Sequence, residues 1–367
     1  MVWIVAHIPS SASPSPPSSS LPASRDSGPP AASPLERLLG LPRKVVGHWP
    51  TPLTRLEPFE AAIGARTEIW IKRDDIQNVV LAGNKVRKFE LIVGDAIARG
   101  YDTLVTTGAV QSNSARTGAA LATAAGMDCV LLLEGNEPDQ PAGNLLIDRL
   151  LGVEIRYAPG ASWRALNDGV NEIVAERTAA GAKAFAAPVG ASSPLGSLGF
   201  ALAYLELQTQ LDQAGISPSA IVHTTTSGGT HAGLLVGRQL AGHTAVSRPI
   251  VGFDAGRLFR HPAEGHLDLA HQAAGLIGLP LELSADDVII DDSQVGPGYG
   301  VATPECVDAI TTLARTEAIL CDPVYSGKGL AGLVQTAQSP DHDGPLVFWH
   351  TGGYHALFDP HYAQAVL

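Results

Sequence analysis

From Leu35 onward, short β-branched runs alternate with alanine-rich stretches of helical spacing. The runs lie at 68–72, 103–106, 129–133, 221–225, 250–253 and 345–349. Between them, segments such as 85–99, 114–125, 198–213 and 230–240 repeat apolar residues three and four apart. A strand that is apolar at successive positions needs cover on both faces, which parallel sheets flanked by helices provide. The alternation therefore predicts an α/β fold of mostly parallel sheets. Ligands in such sheets bind beyond the carboxyl ends of the strands, so chemistry is expected in the strand-to-helix turns.

Composition narrows the class. With 24 Lys and Arg against 36 Asp and Glu, the 367-residue chain carries a formal charge of −12, which disfavours a nucleic-acid partner. Hydrophobic residues at 45% and charged ones at 16% suit a large buried core. No apolar run approaches the roughly 18 residues of a membrane span, so neither a membrane nor a nucleic acid is expected as partner. Three widely spaced cysteines, Cys129, Cys306 and Cys321, fit a reducing, cytoplasmic setting rather than a disulfide framework. Residues 1–34 hold ten Ser and eight Pro, and the reading is a disordered head rather than a signal or transit peptide.

Three turns stand out. The first, Leu81-Ala82-Gly83-Asn84-Lys85-Val86-Arg87-Lys88, opens a helix with a lysine where the helix dipole disfavours a cation. A surface lysine would satisfy the pattern; a lysine of lowered pKa, nucleophilic toward an aldehyde cofactor, explains the placement better. Arg87 and Lys88 read as solvent-facing or ion-paired. The second turn places Gln111, Ser112 and Asn113 before an alanine-rich helix, more amide and hydroxyl groups than one cap needs. The third, Ser227-Gly228-Gly229-Thr230, joins an apolar strand to a helix and suits a monophosphate. It has neither the lysine of a nucleotide P-loop nor the glycine spacing of a dinucleotide fold. His350 and His355 lack the spacing of a zinc site, and His223 and His355 read as packing or polar-surface residues.

A nucleophilic lysine with a monophosphate cup and no metal pattern is what pyridoxal 5′-phosphate requires. Five motifs occur in order: Lys72-Arg73-Asp74-Asp75, Gly83-Asn84-Lys85-Val86-Arg87-Lys88, Gln111-Ser112-Asn113, Asp322-Pro323-Val324-Tyr325 and His350-Thr351-Gly352-Gly353. Over residues 42–358 the chain resembles the D-cysteine desulfhydrase and 1-aminocyclopropane-1-carboxylate deaminase family of fold type II (tryptophan-synthase β-like) pyridoxal-phosphate enzymes. The resemblance implies two domains, a larger cofactor-binding one from 35–84 and 199–367 and a smaller inserted one at 85–198, in a homodimer. It also implies Lys85 as the Schiff-base lysine, Asn113 on the cofactor's ring hydroxyl, and Ser227, Gly228, Gly229 and Thr230 around its phosphate. Ser112 would bind the substrate carboxylate and relay protons, with Gln111, Asn113 and Ser326 on the substrate side. Tyr299 and Tyr325 match the family's two active-site tyrosines.

Within that family the deaminases have Glu after the second tyrosine and Leu after the histidine, where this chain has Ser326 and Thr351, the desulfhydrase-type pair. A Thr351 hydroxyl facing the pyridine nitrogen would leave it unprotonated. Residues 134–138 also lack the tryptophan of the deaminases. Ser114 replaces a usual histidine, Ala82 a usual glycine, and Gln77-Asn78-Val79-Val80 lacks the customary small residues; these departures are expected on the substrate side. The resulting expectation is α,β-elimination on a small amino acid, D-cysteine first, giving pyruvate, sulfide and ammonia. Alternatives are cyclopropane deamination to 2-oxobutyrate and ammonia, a lyase for cysteate or β-chloroalanine, or a non-catalytic cofactor- or amino-acid-binding protein on the same fold.

Overall fold

A computed structural model describes residues 32–78, 80–257 and 262–367. In chain order the described strands are β1 (Leu53–Arg55), β2 (Ile69–Arg73), β3 (Thr103–Ala109), β4 (Asp128–Glu134), β5 (Glu154–Tyr157), β6 (Ala184–Ala186), β7 (Ala220–Thr225), β8 (Ile250–Asp254), β9 (Ile289–Asp291) and β10 (Leu346–His350). The helices are α1 (Pro34–Leu39), α2 (Glu57–Ile63), α3 (Lys85–Ala98), α4 (Asn113–Ala124), α5 (Gly143–Leu150), α6 (Trp163–Ala179), α7 (Pro194–Ala214), α8 (Gly229–Leu240), α9 (Pro262–Leu276), α10 (Pro304–Glu317), α11 (Ser326–Gln338) and α12 (Pro360–Ala363). None is long and apolar enough to cross a membrane.

Two sheets result, in the orders β1-β2-β10-β7-β8-β9 and β5-β4-β3-β6. Every pairing is parallel except that of β1, which runs antiparallel to β2. The six strands expected from sequence are the six interior strands; the four not foreseen, β1, β5, β6 and β9, are the four edges. Interior strands are covered above and below and so read as continuous apolar runs. Edge strands are three or four residues long with partly exposed faces, and carry no such signal.

Each sheet buries both faces. Along β10, Val347 and Trp349 enter the core beneath α7, α8 and α9, while Leu346 and Phe348 enter the core under α10 and α11. This is the period-two alternation of a strand, with apolar side chains in both phases. In the second sheet Leu104 packs with Phe89 and Leu121, and the neighbouring Val105 packs on the opposite face with Leu166 and Val170 of α6. Helix α3 joins the two halves: Leu91 belongs to the core of the first sheet, and Phe89, Val93 and Ala96 to that of the second. Its approach to α7 is close, since a Cβ on Gly199 would collide with the Arg87 carbonyl oxygen.

The Ser/Pro-rich head lies, up to residue 31, outside the described residues. Its expected end at residue 34 is too late. Ser33 forms a capping box with Glu36, and Pro34 is the first residue of α1.

Candidate active site

The turns after β2, β3, β7 and β10 converge at the carboxyl ends of the strands and line one cleft that opens to solvent. Lys85 is the first residue of α3, behind an Asn84 whose side chain caps nothing in the helix. Instead Asn84 Nδ2 donates to Thr230 Oγ1 at 3.0 Å, and its backbone N–H donates to the Thr351 carbonyl at 3.0 Å. One residue thereby ties the lysine turn to the Gly-rich turn and to the end of β10. Lys85 is half-buried, faces the cleft, and has no hydrogen-bond partner among the described residues. Burial without a counter-ion lowers its pKa to about 8.

The Gly-rich turn starts α8. Gly228, at φ +83, is its cap and brings no side-chain acceptor of its own to the helix N-terminus. A Cβ there would approach the His266 ring within 3.3 Å, so the left-handed turn and the space both call for glycine. Ser227 Oγ lies 2.8 Å from Ser192 Oγ, which also accepts from the Gly229 N–H at 3.2 Å. Lys88 reaches the same place, donating to the Gly190 carbonyl (3.2 Å) and Ser192 Oγ (3.3 Å). Behind the turn His223 and His231 share a 3.0 Å hydrogen bond, and His266 meets Thr225 Oγ1 at 2.8 Å. Burial lowers the pKa of His223 to about 3 and of His266 to about 4, so these rings are neutral supports for the turn.

Opposite lies the N-terminus of α4. Ser112 is its cap, accepting from the Ala115 N–H at 3.1 Å, and Asn113 accepts from Asn144 Nδ2 at 3.0 Å; both line the cleft. Beside them Ser114 Oγ is buried with no hydrogen-bond partner among the described residues. The far wall is aromatic. Tyr299 and Tyr325 hydrogen-bond hydroxyl to hydroxyl, their rings 5.7 Å apart at 67°, and Trp163 packs edge-on against Tyr299 at 6.2 Å. Burial raises both tyrosine pKa values, so both phenols stay protonated. No Asp, Glu, Arg or His lines the cleft among the described residues; the end of β10 contributes Thr351.

Pyridoxal 5′-phosphate fits this donor set. An unpartnered amine, a helix N-terminus whose own cap is a glycine, a buried ammonium behind it and the orphaned Ser114 hydroxyl leave unfilled polar capacity. An aldehyde-bearing monophosphate would fill it.

Several expectations need correcting. Lys88 is neither exposed nor ion-paired: its ammonium is fully buried on backbone and hydroxyl oxygens, because it shares a helix face with Lys85 one turn away. Arg87 is ion-paired, and buried, with Asp74 and Glu206. Gln111 does not line the cleft. Its amide bridges Ala142, Asn144 and Asp359, and so fixes the start of α5. Ser326 also stands behind the wall, its hydroxyl 2.7 Å from Asp322 Oδ2, and Gly229 turns its N–H to Ser192. Of the departures expected on the substrate side only Ser114 is there. Gln77 pairs with the His48 backbone, Asn78 closes its own turn, Ala82 accepts from Arg116, and Val79 lies outside the described residues. Residues 134–138 contribute no tryptophan, but Trp163 from α6 does. Trp163 and Gly190 line the cleft and Ser192 supports the Gly-rich turn, and none carried a sequence signal, since each is brought there by a distant segment.

The family model described as pyridoxal-phosphate dependent enzyme matches residues 46–352. Two curated relatives, each named 1-aminocyclopropane-1-carboxylate deaminase, come from Methylobacterium nodulans and Methylobacterium sp. (strain 4-46). Each is 36% identical over 317 residues, covering 84% of this chain and 93% of the relative. A crystal structure described as an ACC deaminase homologue superposes with a TM-score of 0.82 at 33% identity, over 92% of this chain and 98% of that one. A crystal structure described as a T.th. threonine deaminase superposes with a TM-score of 0.57 at 18% identity, over 83% of this chain and 92% of that one, and shares the fold.

Proposed function

The chain belongs to the pyridoxal-phosphate-dependent enzyme family, among its 1-aminocyclopropane-1-carboxylate deaminase and D-cysteine desulfhydrase relatives, and from that premise we propose a lyase that eliminates sulfide from D-cysteine. The products are pyruvate, sulfide and ammonia, with one water consumed. The observation that carries this choice is the carboxylate-free lining of the cleft among the described residues, where Thr351 offers a hydroxyl. A carboxylate beside the pyridine nitrogen would favour its protonated form, and a hydroxyl does not. Sulfide is a good leaving group and needs the weaker electron sink; opening a cyclopropane ring needs the stronger.

When bound, pyridoxal 5′-phosphate would supply that electron sink. The chain's residues do the rest. Lys85, with its pKa lowered to about 8, yields its free amine more readily than an ordinary lysine, to hold the cofactor and to take the α-proton. Ser227, Gly228 and Thr230 at the start of α8 hold the phosphate, with Lys88 as the cation behind it. Ser112 and Asn113 at the start of α4 orient the substrate carboxylate and the cofactor's ring hydroxyl. The Tyr299–Tyr325 pair holds a proton for the departing sulfur, and Trp163 keeps water from that side. Residues 85–198 act as the smaller domain that closes over the cleft.

The names of the 36% identical relatives favour a second reading, cyclopropane deamination to 2-oxobutyrate. Assaying pyruvate, sulfide and 2-oxobutyrate over D-cysteine, L-cysteine, cysteate and the cyclopropane amino acid separates the two. Sulfide from D-cysteine supports the first; 2-oxobutyrate without sulfide replaces it with the second.

A further inference from the structure

Lys328 has no place in the chemistry above, yet its environment is as unusual as that of Lys85. It sits in the first turn of α11, where the helix dipole disfavours a cation, and it is fully buried. Its ammonium donates to the carbonyl oxygens of Ala255 (3.1 Å), Val295 (2.7 Å) and Gly298 (2.8 Å). Three donors meet three acceptors, so nothing is left over for proton transfer. It does not line the cleft.

The origin of those carbonyls gives the arrangement its meaning. Val295 and Gly298 belong to the irregular segment between β9 and α10, which carries Tyr299 and holds glycines at 296, 298 and 300. Ala255 precedes Gly256, against which the Tyr299 ring rests; a Cβ on Gly256 would lie 2.8 Å from Tyr299 Cδ2. Lys328 itself stands one turn after Tyr325, the cap of α11. A single ammonium therefore gathers the segment that carries Tyr299, the segment that supports its ring and the helix that presents its partner. Other hydrogen bonds hold the start of that segment, Gln294 Nε2 donating to Gln335 Oε1 of α11 at 2.9 Å, the Ser293 N–H to Asp291 at 2.8 Å and the Val295 N–H to Asp292 O at 3.2 Å; beside the tyrosine the Val301 N–H reaches Gly298 O at 3.4 Å.

We propose that Lys328 is a positioning residue, the built-in cation of a three-carbonyl cage that seats Tyr299 beside Tyr325, and that the emptied cage accepts a free monovalent cation of ammonium size. Three carbonyl oxygens at 2.7–3.1 Å form a partial coordination shell for potassium as well as for an ammonium ion. Burial lowers the Lys328 pKa, as it would for an ammonium held by dipoles with no carboxylate in contact.

The test uses the cofactor-loaded full chain. In sodium buffer, Lys328→Ala is expected to retain the cofactor's visible absorbance and to lose roughly tenfold or more in kcat/KM. Potassium or ammonium chloride should restore several-fold of that loss and raise the variant's Tm, lithium should do neither, and the unaltered protein should be indifferent to the choice. A folded, loaded Lys328→Ala that responds to no cation overturns the proposal, as does an equal response in the unaltered protein. Should the alanine variant not fold, the volume-preserving Lys328→Met carries the test: on a Tyr299→Phe background its kcat/KM effect should largely vanish, and full additivity overturns the proposal. The kinetic arm rests on the tyrosine pair bordering substrate, as proposed above. The cation-selective Tm shift does not, so failure of the substrate reading and failure of the cage are distinguishable.

Discussion

Helix α3 places three cations within its first four residues and gives them opposite surroundings. Arg87 donates to both oxygens of Asp74 and of Glu206, lies 3.9 Å from the Trp49 ring centre, and shares Asp74 with the Trp349 indole N–H. Lys72 adds a second cation on Glu206 at 2.5 Å. Burial opposes the charge on Glu206, but Arg87 and Lys72 hold its pKa down at about 2. Lys85 and Lys88, on the other side of the helix, have no carboxylate within hydrogen-bond reach among the described residues; burial lowers both pKa values, and for Lys88 the charge of Lys85 adds to the effect. A buried cation that fixes the helix is paired and stays charged. A buried cation that serves chemistry is left for a ligand to complete.

The contrast can be broken by experiment. The largest effect is expected from Lys85→Ala, which should abolish the visible absorbance of the bound cofactor and cut activity roughly ten-thousandfold while leaving the cofactor-free fold intact. Arg87→Met should do the reverse: it takes the guanidinium from Asp74 and leaves Glu206 to Lys72 alone, and denaturant unfolding should report a loss of about 3–5 kcal/mol. Equal stability of that variant would sink the division between the two sides of the helix. Lys88→Met should weaken cofactor affinity by roughly ten- to a hundredfold in a titration, without the stability loss of Arg87→Met. The smallest effect concerns pH. Between about 8 and 10.5 the unfolded chain holds a proton on Lys85 that the folded, cofactor-free chain has released, so stability should rise with pH across that window. Lys85→Ala should flatten this rise in a series of melting curves.

How much of this was legible in the sequence follows the same physics. Interior strands could be read because cover on both faces demands uninterrupted apolar runs; edge strands could not, because one side of the ladder is open and three residues suffice. Lys85 was legible as a cation at a helix start, where the dipole argues against it. Lys88 was misread because its surroundings, Gly190 and Ser192, come from about a hundred residues further along the chain. Gln111 and Ser326 belonged to recognisable motifs, but a motif gives a residue's neighbours in the chain and not the side of the wall its side chain takes. Both are turned away by polar partners, Ala142 and Asp359 for Gln111 and Asp322 for Ser326.

The sequence by itself determined the α/β class, the six interior strands and the turns in which the chemistry would lie, because these depend on local periodicity and on the backbone demands of turns. The tertiary structure decided which of the neighbouring polar residues face the cleft. It also decided which cations are paired and which are left without a counter-ion, and that Trp163 and a Lys328-held tyrosine close the far wall. Those outcomes depend on desolvation and on partners supplied by distant segments, and no local pattern encodes either.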